Sequence, residues 1–100
     1  MSYADTLSAR DLRRLARQGH AMEAAFRFFA RQTLPGAGND QLLTARRAFF
    51  AGAAEFWAMN DALDDSTAEP TAEDMAFIHA LVAEVYAHHE RTLAAARRVS

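Results

Sequence analysis

The chain contains no cysteine, no lysine, two prolines and four glycines in 100 residues. Without a thiol there is no thiol-based redox chemistry, no thiol nucleophile and no cysteine-based zinc site, and the setting expected is a reducing, cytoplasmic one. The uncharged apolar runs are far shorter than the ~20 residues a membrane span needs, so no membrane association is expected. The segment Met1-Ser2-Tyr3-Ala4-Asp5 has neither the basic nor the apolar region of a signal peptide. Glycine is too sparse to frame a nucleophile elbow or a phosphate-cradling loop. His-Glu-x-x-His and paired Glu-x-x-His motifs are also missing. Glu84 and His88, four apart, would share a helical face but lack a third ligand. The expected protein is therefore not an enzyme, and no metal or cofactor is expected. All eleven bases are arginine. A GC-rich coding sequence produces the same bias, so by itself it is no recognition signal.

What the chain does have is helical periodicity. From Asn39 to Leu63, apolar and small residues recur at Leu42, Ala45, Phe49, Gly52, Phe56, Met59 and Leu63, three and four apart, which is one stripe of an α-helix. A second stripe, Leu43, Phe50, Ala54 and Trp57, lies beside it. A helix apolar over so wide an arc needs cover on two sides, which makes it the central and most buried member of a bundle. Gly52 on its stripe is the expected point of closest helix crossing.

An earlier helix begins at Ser8, whose hydroxyl precedes Asp11 by three residues as in a capping box. It runs through Leu12, Leu15, Gly19, Met22, Phe26, Phe29 and Thr33. Gly19 falls on the apolar stripe, so the reading is an unbroken helix packed closely there, with a break as the alternative. Pro35, Gly36 and Gly38 end it. A last helix starts at the Thr71-x-x-Asp74 cap, with Pro70 and Met75 placed as a staple, and continues through Ile78, Val82, Val85, His89, Thr92 and Ala96. His79 and His88 are expected in solvent and His89 partly buried. No strand pattern, low-complexity tract or domain boundary appears. The expected fold is all-α, an antiparallel three-helix bundle in one domain over residues 1–100, with helices near 9–33, 41–63 and 72–98.

Charge is segregated. Residues 1–47 carry +4, residues 48–90 carry −9 with no base, and the last ten carry +3. Asp61, Asp64, Asp65, Glu69, Glu73 and Asp74 cluster around the second loop. Glu73 and Asp74 suit a helix N-terminus, whereas acids at a helix C-terminus oppose its dipole by ~0.3 to 1 kcal/mol each. Asp61, Asp64 and Asp65 therefore point to a partner. An intramolecular partner would be Arg10, Arg13, Arg14 and Arg17, and an external one a protein whose basic groove the acidic face would fill. The opposite end would gather Arg27, Arg31, Arg46, Arg47, Arg91, Arg97 and Arg98, a surface suited to salt-sensitive phosphate contacts with nucleic acid. The Leu43, Phe50 and Trp57 stripe, if uncovered, would anchor a homodimer or a partner protein.

The run Arg46-Arg47-Ala48-Phe49-Phe50-Ala51-Gly52-Ala53, followed by an acidic loop ending Glu69-Pro70-Thr71-x-x-Asp74, resembles a recurrent type of small protein encoded by phages and prophages. The resemblance covers about residues 42–90 and carries over no catalytic residue. It implies a mobile-element context, in which one activity of proteins this size is inhibition of a host CRISPR surveillance complex by binding. The expectation is a non-enzymatic protein that binds and inhibits a host protein complex through Trp57 and the acidic face. The alternatives are nucleic-acid binding by the arginines and a homodimeric structural module.

Overall fold

The computed structural model describes residues 2–62 and 69–99. Among these residues a 3-10 turn at Tyr3–Thr6 precedes four α-helices: α1 (Ala9–Arg17), α2 (Ala21–Thr33), α3 (Asn39–Ala62) and α4 (Ala72–Val99). No strand occurs among the described residues, so the chain is all-α. The expected end of the central helix at Leu63, and the acids Asp64 and Asp65, lie outside the described residues.

The first expected helix is two helices. α1 ends at Arg17 and α2 starts at Ala21, with Gly19 between them at a φ of +76°. The Gly19 amide donates to the Ala16 carbonyl at 3.1 Å and the His20 amide to the Leu15 carbonyl at 2.9 Å. These two bonds form a Schellman motif, in which a left-handed residue after the C-cap satisfies the last carbonyls. Gly19 is thus selected for its backbone. A Cβ built there meets nothing within 4 Å, so close packing is not its role. Gly52 likewise faces open space and marks no helix crossing.

The two glycines should respond oppositely to alanine. Gly19→Ala places a side chain in the left-handed region and is expected to destabilise by about 1 to 2 kcal/mol. Gly52→Ala, in an exposed helix interior, is expected to stabilise by about 0.5 to 1 kcal/mol. Urea midpoints of the two variants against the wild type check both signs.

By internal contacts the chain divides into two compact units, Met1–Phe50 and Ala51–Ser100. The first carries eight arginines against four acids and the second three against nine, giving +4 and −6. In the first unit, α1 is capped by the Ser8 hydroxyl, which accepts from the Asp11 amide at 3.1 Å. Between α2 and α3, the Ala37 amide donates to the Leu34 carbonyl at 3.2 Å across Pro35 and Gly36, with Gly36 at a φ of +78°. Proline then glycine at these positions suits a type II turn, whose third residue needs positive φ. The turn brings α3 onto α2. Phe26 meets Phe49 edge-on with ring centroids 5.5 Å apart, and Phe29 reaches the same ring at 5.8 Å. Phe26 and Ala30, one turn apart on α2, are the buried residues among those described in this unit. Tyr3 of the 3-10 turn packs on Phe28, with centroids 5.6 Å apart.

In the second unit, α4 begins with both halves of the expected capping box. The Asp74 amide donates to the Thr71 hydroxyl at 3.1 Å and the Thr71 amide to the Asp74 carboxylate at 3.0 Å. Pro70 and Met75 are both exposed, leaving the expected staple unburied. Ile78, Leu81, Val82 and His89 are half-buried and Leu93 is buried, while Val85 and Thr92 face solvent.

α3 departs most from expectation. It has no buried residue, so it is not the most buried helix. Its half-buried face runs Leu42, Ala45, Phe49, Ala53, Phe56 and Asn60, in place of a stripe passing through Gly52 and Met59. A strict three-four alternation has a period of 3.5 residues, whereas a straight helix turns every 3.6 and drifts ~20° per heptad from that seam. The eighteen residue steps from Leu42 to Asn60 make five turns at the straight-helix period.

Candidate functional site

The same 3.6 period that shields one face of α3 presents another. Leu43, Arg47, Phe50, Ala54, Trp57 and Asp61 follow one another four and three apart, and every one of them is exposed. Leu43, Phe50 and Trp57, expected to be covered, are exposed among the described residues. Trp57 is 71% exposed, the highest value among the exposed large apolar side chains described. A large aromatic ring left in water carries unburied apolar surface that a partner can cover, and such rings dominate many interfaces. Asp61, one turn beyond Trp57, adds a carboxylate to the same face.

The remaining described members of the acidic cluster lie at the start of α4. Glu69 and Glu73 are exposed, and neither is ion-paired with a described residue. Asp74 is half-buried and committed to its cap, which makes it a structural acid. Of the arginines weighed as internal partners, Arg14 pairs with Asp11 of its own helix at 3.2 Å.

The arginines divide between the units. Arg27 and Arg31 of α2 and Arg46 of α3 line one cleft of about 560 Å³ in the first unit. Arg47, next in sequence to Arg46, is on the exposed α3 face and does not line it. Arg91, Arg97 and Arg98 belong to α4, the last two in its final turn, where cations suit the helix dipole. Glu23, absent from the expected site, organises the cleft. Its carboxylate accepts from Arg27 Nε at 3.2 Å and from Arg46 Nε at 3.0 Å, and pairs as well with the Arg46 terminal nitrogen. The Glu23 to Arg27 spacing of four was a legible sign of a pair. The Arg46 contact depends on the turn at Pro35 and Gly36.

The Arg46 hydrogen bond, aided by the charges of Arg46 and Arg27 and opposed by desolvation, holds the Glu23 carboxyl below its ordinary value of 4.5. A carboxyl depressed in the folded state stabilises the fold above its unfolded pKa, and that contribution disappears as pH falls through the folded value. Glu23→Gln should therefore be less stable than the wild type at neutral pH, with the difference closing below pH 4.5. Urea titrations at pH 7 and in the acid range measure it.

Among the described residues no group of three or more His, Asp or Glu side chains could hold a metal ion. His79 and His88 are exposed and His89 is half-buried. No described helix is long and apolar enough to cross a membrane. Comparison with protein-family models, with curated proteins and with solved structures gives no match to this chain.

Proposed function

We propose that the protein is a non-enzymatic binding module of mobile-element type that engages a host protein assembly through the exposed face of α3, including Asp61, and the exposed acids Glu69 and Glu73 at the start of α4. The observation that carries this reading is Trp57, 71% exposed on a helical face with no covered position from Leu43 to Asp61. Asp61, Glu69 and Glu73 supply negative charge for a basic groove on the partner, in the manner of a nucleic-acid competitor. The resemblance of Arg46 to Asp74 to small phage proteins makes a CRISPR surveillance complex the partner to test first.

The experiment is capture of a host assembly by the tagged protein at moderate salt, alongside the Asp61→Arg, Glu73→Arg double variant. The expected result is one stoichiometric assembly retained by the wild type and lost by the variant, whose circular dichroism stays helical. Equal retention would remove the acids from the site.

A second reading has a specific observation in its favour, since Arg27, Arg31 and Arg46 converge on one cleft. Nucleic-acid binding there would weaken steeply with salt, with a slope that grows with each phosphate contacted.

A further inference from the structure

The cleft of the first unit is apolar in its body and cationic at its rim. Phe26 and Ala30 are its buried floor residues, and Leu34 and Leu42 are half-buried among its walls. At the rim stand three guanidinium groups, of Arg27, Arg31 and Arg46, and one carboxylate, of Glu23. Glu23 is shared by Arg27 and Arg46. Arg31 has no carboxylate partner among the described residues, its guanidinium lying 6.0 Å from the centroid of the Phe28 ring. Arginine cannot discharge by losing its proton at physiological pH, so the rim keeps an excess of two positive charges. A volume of about 560 Å³ is that of a pocket for a single small ligand.

From this arrangement we infer that the cleft binds one anionic amphiphile, an apolar body carrying a single carboxylate or phosphate group. The apolar body would cover Phe26, Ala30, Leu34 and Leu42. The head group would accept hydrogen bonds from Arg31 and from the guanidinium donors that Glu23 leaves unused, in the forked geometry arginine offers to carboxylates and phosphates. A nucleic-acid strand fits less well, because a polyanion uses the rim and leaves the apolar floor uncovered. The residues lining the cleft all belong to the first unit, and Leu43 is the one residue they share with the exposed face of α3, whose Trp57 and Asp61 belong to the second.

The test is isothermal titration of the full chain with decanoate, decyl phosphate and decyltrimethylammonium, each below its micellar concentration, and with inorganic phosphate. Saturable 1:1 binding is expected for decanoate, decyl phosphate or both, and the stronger of the two identifies the head group. Decyltrimethylammonium and inorganic phosphate should each bind at least roughly tenfold more weakly. Arg31→Glu should weaken the anionic amphiphile by a similar factor, while Arg13→Glu, the same charge change on an exposed α1 position, should leave it unaltered. Equal affinity for the cationic amphiphile, equal loss in the two variants, inorganic phosphate binding as tightly as decyl phosphate, or no binding by either anionic amphiphile would each overturn the proposal.

Discussion

Replacing Phe26 with alanine is expected to remove about 3 to 5 kcal/mol of stability, the range for an aromatic side chain deleted from a core. Phe26 is 5% exposed and sits edge-on to Phe49 at 5.5 Å. Deletion removes that ring pair, and among the described residues of the first unit no other large side chain is buried to compensate. Against a total of ~5 to 15 kcal/mol for a domain of ordinary stability, such a loss is a large fraction. At ~4 to 8 °C per kcal/mol for a domain of this size, the melting temperature should fall by tens of degrees. Urea denaturation followed by helical circular dichroism measures it. Phe50→Ala, at a position that is 37% exposed, should cost far less. A change below about 1 kcal/mol for Phe26→Ala would place the core of the first unit elsewhere.

Trp57→Ala is expected to behave in the opposite way. Because the ring is 71% exposed, truncation should shift the urea midpoint by no more than about 0.5 kcal/mol equivalent. Binding to the captured assembly should weaken by about 2 kcal/mol or more, roughly thirtyfold, the loss typical of an aromatic hot spot. Competition of the purified variant against labelled wild type measures the ratio. Loss of stability without loss of binding would make Trp57 part of the fold and remove it from the site.

Much of the helical framework is legible in the residues. The Thr71 to Asp74 box marks the start of α4, Ser8 that of α1, and Pro35 with Gly36 the turn before α3, because each signal is local chemistry acting over three or four positions. Gly19 shows where such reading fails. Its place on an apolar stripe suggested packing, yet the same residue suits a left-handed C-terminal cap, and apolar spacing continues across the break because α1 and α2 each keep an apolar side. The two stripes of α3 were visible, but which of them is shielded was not. That depends on the pitch of the helix and on what packs against it, both tertiary properties. The candidate surface was legible in part, since Leu43, Phe50 and Trp57 were singled out as anchors if uncovered, and all three are exposed. The cleft was not, because Glu23 and Arg46 stand 23 positions apart and meet only after the chain turns.

Trp57 is the single tryptophan of the chain, so in the free protein its fluorescence reports the α3 face without interference from another indole. The decisive measurement is the emission and acrylamide quenching of Trp57 in dilute protein, alone and, with position 57 labelled as the selectively excited 5-hydroxytryptophan, in the presence of the captured assembly. Emission and quenching close to those of free tryptophan in water are expected for the protein alone, and a blue shift with reduced quenching when the partner is added. A blue-shifted, protected tryptophan in the dilute free protein would mean that this face is already covered, and would contradict the assignment of α3 as the binding surface.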